Sequence, residues 1–250
     1  MHLWLALALT AQPKRPLYVV YIGNSITEGV LIDAPERNAP PAQASRYLSE
    51  QKDIDLRGFS NQGVSGQTSV DFLPAQQTRF PKVLAAAAPF AADKDALLLF
   101  SVMLGTNDSA IRGPNGAPVS PVQYFTNLKT MLDELFRLYP KAIFVLHRPV
   151  WYSPNTFNSS MYLKAGLERL ISYTPELEKL EKTYAELRPN QVFMGDTAAF
   201  DHFKTHYATD LIPEDGNAGT FYLHPNVAGA LRLGEFWGKA IHRVLNKLQQ

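Results

Sequence analysis

Five short strand-like segments, each followed by a polar turn, restrict this chain more than any other feature. They are apolar except for Ile54–Phe59, which alternates apolar and polar residues as a strand with one wet face does. Leu17–Ile22, Ile54–Phe59, Ala96–Leu104, Ala142–His147 and Gln191–Gly195 have strand length. They are rich in the β-branched, aromatic and aliphatic residues that strands favour. Helical periodicity fills the gaps. From Pro121 to Tyr139, for example, Val122, Phe125, Leu128, Leu132, Leu135 and Phe136 recur at three and four, and Pro140 stops the run. Further helices are expected over 42–51, over 69–88 with breaks at Pro74 and Pro81, over 161–187 with a break at Pro175, and over 227–248. Such alternation predicts an α/β fold: a doubly wound, five-stranded parallel sheet in a three-layer αβα sandwich of the flavodoxin-like kind. Ala96–Leu104 is apolar throughout and belongs near the centre of the sheet. Residues 196–220 show no regular pattern.

No Pro-, Gly- or Ser-rich linker divides the chain, so residues 16–250 are read as one domain. A net charge of +1 gives no reason to expect a nucleic-acid partner. The absence of cysteine excludes disulfides, thiolate zinc sites and a thiol nucleophile. The apolar run Leu3–Leu9 is too short to span a bilayer, which argues against stable membrane insertion. With Thr10-Ala11-Gln12 behind it, it resembles the apolar core and small-residue end of a signal peptide, although the positive start is missing. Residues 1–15 are therefore expected to be a leader and the protein secreted or periplasmic; a frayed N-terminal helix is the alternative.

Three successive strands run into Gly-containing turns: Gly23-Asn24-Ser25, Gly63-Val-Ser-Gly66 and Gly105-Thr-Asn107-Asp108. In a parallel sheet these turns meet along one edge, where α/β proteins bind ligands. Leu223-His224-Pro225-Asn226, just before the last helix, brings a histidine to the same edge. Ser25 is the candidate nucleophile, with helix N-capping as its alternative role. A serine, a histidine to take its proton, and N–H groups aimed at a forming oxyanion describe a hydrolase.

In order and rough spacing these blocks resemble those of the SGNH hydrolases, the GDSL esterase family. Gly23-Asn-Ser-Ile-Thr27 is similar to the first block, with Asn24 where many members have aspartate. Asn61-Gln-Gly-Val-Ser-Gly-Gln-Thr68, Gly105-Thr-Asn-Asp108 and His224-Pro225-Asn226 are similar to the others. The resemblance implies Ser25 and His224 as catalytic residues. It also implies an oxyanion hole made of the N–H groups of Ser25 and Gly66 and the side chain of Asn107. It implies acyl transfer through a covalent ester, without a cofactor or metal, on a small-molecule or polysaccharide ester. The blocks look most like those of members that remove acetyl groups from carbohydrates. A lysophospholipase or thioesterase and a non-catalytic carbohydrate binder are the alternatives. One position departs: family members carry an aspartate three residues before the histidine, and position 221 is Phe. Asp215 is the first choice to orient His224, with Asp210, Asp196 and a backbone carbonyl as rivals.

Asn24, Trp151 and Tyr152 are placed with the substrate, the two aromatics as stacking faces or, equally, as core. Ser65 and Asp108 read as turn residues. His147 either lines the pocket or satisfies backbone groups. His202, His206 and Asp201 have metal-ligand spacing but read first as solvated side chains.

Overall fold

The computed structural model describes residues 13–248. Strands β1 (Arg15–Gly23), β2 (Ile54–Gly63), β3 (Leu97–Met103), β4 (Ile143–Leu146) and β5 (Val192–Met194) form one sheet in the order β2-β1-β3-β4-β5. Every neighbouring pair is parallel. This is the doubly wound order of flavodoxin-like sheets. The helices are α1 (Ser25–Glu28), α2 (Pro35–Asn38), α3 (Pro40–Ser49), α4 (Phe80–Ala92), α5 (Pro121–Leu138), α6 (Leu163–Leu187), α7 (Ala199–Asp210) and α8 (Val227–Lys247). None is long and apolar enough to cross a membrane.

Strands β1, β3 and β4 are buried on both faces, which is why their sequences are nearly continuous in apolar residues. At the sheet edge, β2 leaves Arg57 and Phe59 exposed. On one face Tyr18 stacks on Phe90 of α4, Phe100 on Phe144, and Phe144 meets Phe136 of α5. On the other, Tyr21 and His147 both stack on Trp237 of α8. Helix α8 also lies flush against α3. A Cβ at Gly234 would overlap the Gln43 side chain and stand 2.8 Å from the Ala44 nitrogen, and one at Gly238 would stand 2.6 Å from the Tyr47 ring.

Several elements differ from expectation. The first strand starts at Arg15, inside the expected leader; most of that leader, residues 1–12, lies outside the described residues. Strand β2 runs on to Gly63, because Ser60–Gly63 keep pairing with Val20–Gly23 although their side chains are polar. Only Phe80–Ala92 of the expected 69–88 helix is helical, since Pro74 opens a single 3-10 turn and Pro81 sits in the first turn of α4. Helix α6 continues through Pro175. The stretch without a pattern resolves into α7 and an antiparallel hairpin, β6 (Leu211–Gly216) with β7 (Gly219–Pro225).

Candidate active site

The sheet register sets Gly23 beside both Gly63 and Met103, so the first three turns leave the sheet side by side. Asn24 caps α1, its Oδ1 accepting from the Ile26 nitrogen at 3.1 Å, and Ser25 becomes the first helical residue. Two glycines allow this tight packing. A Cβ at Gly23 would overlap the Thr27 side chain, and one at Gly63 would overlap the Thr27–Glu28 backbone.

His224 reaches Ser25 from the hairpin. Its Nε2 lies 2.9 Å from Ser25 Oγ, and both side chains are buried. On the other side of the ring Nδ1 lies 2.8 Å from Glu214 Oε1, which also accepts from the His224 backbone nitrogen at 3.2 Å. Because a carboxylate only accepts, Nδ1 carries the proton and Nε2 is free to accept from the serine hydroxyl. Asn158 Nδ2 donates to the remaining Glu214 oxygen at 3.0 Å. Burial pushes the Glu214 carboxyl up. The hydrogen bond and charge of His224, helped by Asn158, outweigh that and hold it below the ordinary glutamate value.

The acid on His224 is thus Glu214, not the expected Asp215. Along β6, Leu211, Pro213 and Asp215 share one face, and Ile212, Glu214 and Gly216 share the other. Pro213 pairs with Tyr222 while Leu211 pairs with Pro225, so Ile212 alone faces both Leu223 and His224. In an uninterrupted register Leu211 would oppose His224, and the imidazole would lie on the Asp215 face. The irregularity turns it to the Glu214 face instead, as bulges do. Asp215 itself is exposed. Its rivals are also committed elsewhere: Asp196 caps α7 through the nitrogens of Ala198 and Ala199, and Asp210 accepts from His202 at 2.7 Å.

Next to Ser25, the second turn continues the sheet, with the Val64 nitrogen donating to the Gly23 carbonyl at 3.1 Å. Ser65 donates its N–H to Glu28 Oε2 at 2.5 Å. Gly66 follows at φ +75°, exposed, with open space where a Cβ would point. Asn107 Nδ2 donates to the carbonyl of the next residue, Gln67, at 2.8 Å, and Asn107 Oδ1 accepts from the Tyr162 hydroxyl at 2.8 Å. Asp108 braces the turn: its Oδ1 accepts from the Ser69 nitrogen at 2.9 Å and from the Ser69 hydroxyl. Its other oxygen is buried without a partner, and burial pushes the carboxyl up to about 6 despite the Ser69 bonds.

The remaining assignments need correction or sorting. Asn24 and Tyr152 are fully buried, and Trp151 is as buried as His224. Asn24 serves as a cap, Tyr152 bonds Ser109 at 2.8 Å, and Trp151 packs on Tyr207. His147 is interior: its Nδ1 accepts from the Asp196 nitrogen at 3.0 Å, Nε2 lies 2.9 Å from Ser101 Oγ, and burial lowers its pKa to about 3. His202 and His206 stack on each other, while Asp201 turns towards Arg148. Among the described residues no group of three or more His, Asp or Glu side chains gathers as a metal site. Glu214, Asn158 and Tyr162 were not singled out by sequence, and only the Phe at 221 signalled that the acid had moved.

Comparison with solved structures gives matches over nearly the whole chain at low identity, which speaks to the fold. A carbohydrate acetylesterase from Sinorhizobium meliloti is 17% identical, with 92% of this chain and 100% of that chain covered and a TM-score of 0.58. A catalytic mutant of an acetylxylan esterase from Geobacillus stearothermophilus is 19% identical, covering 94% and 96%, with a TM-score of 0.59. A lipase/acylhydrolase from Enterococcus faecalis is 17% identical, covering 90% and 94%, at 0.58. No curated protein sequence is significantly similar to the chain. The sequence profile of the GDSL-like lipase/acylhydrolase family matches residues 21–232, from the first strand into the last helix, and the chain belongs to that family.

Proposed function

We propose that this GDSL-family protein is a serine esterase that removes short acyl groups, acetyl above all, from carbohydrates. One observation carries the reading: the unbroken line from Ser25 Oγ through His224 to Glu214, with hydrogen bonds of 2.9 and 2.8 Å. In this mechanism His224 Nε2 takes the Ser25 proton as Oγ attacks the ester carbonyl. Glu214 holds the ring in the tautomer that can accept and stabilises the imidazolium that forms. The N–H groups of Ser25 and Gly66 and the free N–H of Asn107 face the oxyanion. His224 then protonates the departing alkoxide, giving the free alcohol and an acyl-serine. Water, deprotonated by the same nitrogen, releases the acid and restores the serine.

The preference for acetyl esters of carbohydrates rests on the block sequences and on the printed activities of two similar structures. An exported enzyme acting on polysaccharide fragments fits the apolar run at Leu3–Leu9. The test is hydrolysis of nitrophenyl esters of rising chain length and of acetylated xylan, by the protein and by Ser25→Ala. Acetate is expected to be the best chain length and Ser25→Ala to be inert. Rates that climb with chain length point to a lysophospholipase or thioesterase, and activity retained in Ser25→Ala refutes the serine mechanism.

A further inference from the structure

Position 221, where the family's acid is missing, is not empty of purpose. Phe221 lies opposite Glu214 in the hairpin ladder, so the acid stands on the neighbouring strand, directly across from the expected place. The Phe221 ring is fully buried and stacks on Tyr162, with centroids 5.7 Å apart and planes 14° from parallel. The Tyr162 hydroxyl in turn donates to Asn107 Oδ1 at 2.8 Å. A continuous contact therefore runs from the strand that carries His224 to the amide of Asn107.

The Gln67 carbonyl, which can only accept, settles which way that amide faces, and the Tyr162 hydroxyl then donates to the amide oxygen. Were it reversed, its oxygen would meet the Gln67 carbonyl oxygen at 2.8 Å, acceptor against acceptor. As it stands, the oxygen is held by the phenol, one N–H is held by Gln67, and the second N–H is left for a ligand. Tyr162 is itself tightly fixed. Met161, just before it, is clamped to Ile111 and Arg112 by backbone bonds of 2.7 and 2.9 Å. Leu163, just after it, is held at φ 55°, where a residue with a Cβ stays only when its surroundings impose it. Burial raises the phenol pKa well above its ordinary value, so the hydroxyl remains a donor wherever the protein is folded.

We propose that Tyr162, braced by Phe221, is a positioning residue that locks the Asn107 amide with its free N–H towards the oxyanion. The inference rests on the esterase reading above and goes beyond it in naming what aligns the donor. A hydrogen bond that strengthens only as the oxyanion forms acts on kcat and not on substrate binding. Tyr162→Phe, which keeps the stacked ring and removes only the hydroxyl, is expected to lower kcat on nitrophenyl acetate about tenfold with KM unchanged.

The deciding measurement is a double-mutant cycle with Asn107→Ala. Once the amide is gone the phenol has nothing to align, so Tyr162→Phe should cost no further activity in that background. A purely structural tyrosine would slow both backgrounds alike. Wild-type kcat in Tyr162→Phe, or an equal loss in the Asn107→Ala background, overturns the inference. Should Tyr162→Phe fail to fold, Phe221→Leu loosens the phenol while leaving it present, and the same fall in kcat at constant KM is required of it. If Asn107→Ala is slow but Tyr162→Phe is not, this inference alone fails. If Asn107→Ala is as fast as the wild type, Asn107 is no oxyanion donor and the inference fails, whereas the esterase reading itself falls only if Ser25→Ala keeps its activity.

Discussion

Glu214→Gln separates the charge of the acid from its shape. The glutamine oxygen can still accept from His224 Nδ1, but its NH2 group then faces the Asn158 donor that bonds the second Glu214 oxygen at 3.0 Å. Either that contact or the one to the ring must break. The larger effect is on the imidazolium that forms as Ser25 gives up its proton. Glu214 and His224 are largely buried, their side chains 11% and 9% exposed. Unit charges about 4 Å apart at an effective dielectric of about 20 attract by about 4 kcal/mol. Losing that from the transition state lowers the rate about a thousandfold. Initial rates on nitrophenyl acetate at saturating substrate measure this directly as kcat. Asp215→Ala, one residue along on the exposed face, should stay within about twofold of wild type, as surface changes away from such features do. A Glu214→Gln enzyme within tenfold of wild type, or an Asp215→Ala enzyme as slow as Glu214→Gln, would refute the assignment of the acid and the register argument behind it.

Three further outcomes follow from other parts of the molecule. Asn107→Ala should reduce kcat on the order of a hundred- to a thousandfold while a product-like acid still binds, as checked by inhibition constants. Asp108 binds its proton more tightly in the folded protein, where its pKa is about 6, than in the unfolded chain, near 3.8. Its contribution is therefore most favourable below pH 3.8 and is lost as pH rises through 6, by about 3 kcal/mol in all. Urea unfolding at pH 4 and pH 8 should show that loss in the wild type and not in Asp108→Asn; parallel pH profiles would contradict it. Gly234→Ala should destabilise by about 1–3 kcal/mol in the same assay, because the new methyl group meets Gln43 and the Ala44 backbone.

How much of this was legible in the sequence depends on the kind of signal. Ser25, Gly66, Asn107 and His224 stand at the ends of apolar runs or just before a strongly periodic helix, and the parallel topology that those runs imply places them along one edge. Glu214 carries no such marker. Its strand, Leu-Ile-Pro-Glu-Asp-Gly, has no apolar alternation, and which of Glu214 and Asp215 faces the ring depends on a one-residue irregularity in the partner strand. That choice is made by pairing, which a linear reading does not contain. Trp151 and Tyr152 were ambiguous for another reason: an aromatic pair beyond a strand end has the same composition whether it stacks on a sugar or fills the interior. Here the hydroxyl bond to Ser109 and the packing on Tyr207 keep both inside. Pro175 predicts a break, yet α6 passes through it, since a single lost backbone bond is small beside the apolar face formed by Leu170, Tyr173 and Leu177.

Ser25 opens helix α1 directly behind the central strand β1, whereas the base and its acid both ride on the β6–β7 hairpin. Among the described residues that hairpin pairs with no strand of the main sheet; the loop 153–158 borders it, and Leu211, Phe221 and Leu223 pack into the core. Ser153 and Tyr222 exchange two bonds, and Asn155, Thr156 and Phe157 bond Thr220, Ala218 and Asn217 in turn. A two-stranded ribbon has little stability of its own. This proton-handling arm therefore keeps its alignment only while Leu211, Phe221 and Leu223 stay docked in the core, so that catalytic activity reports on that docking.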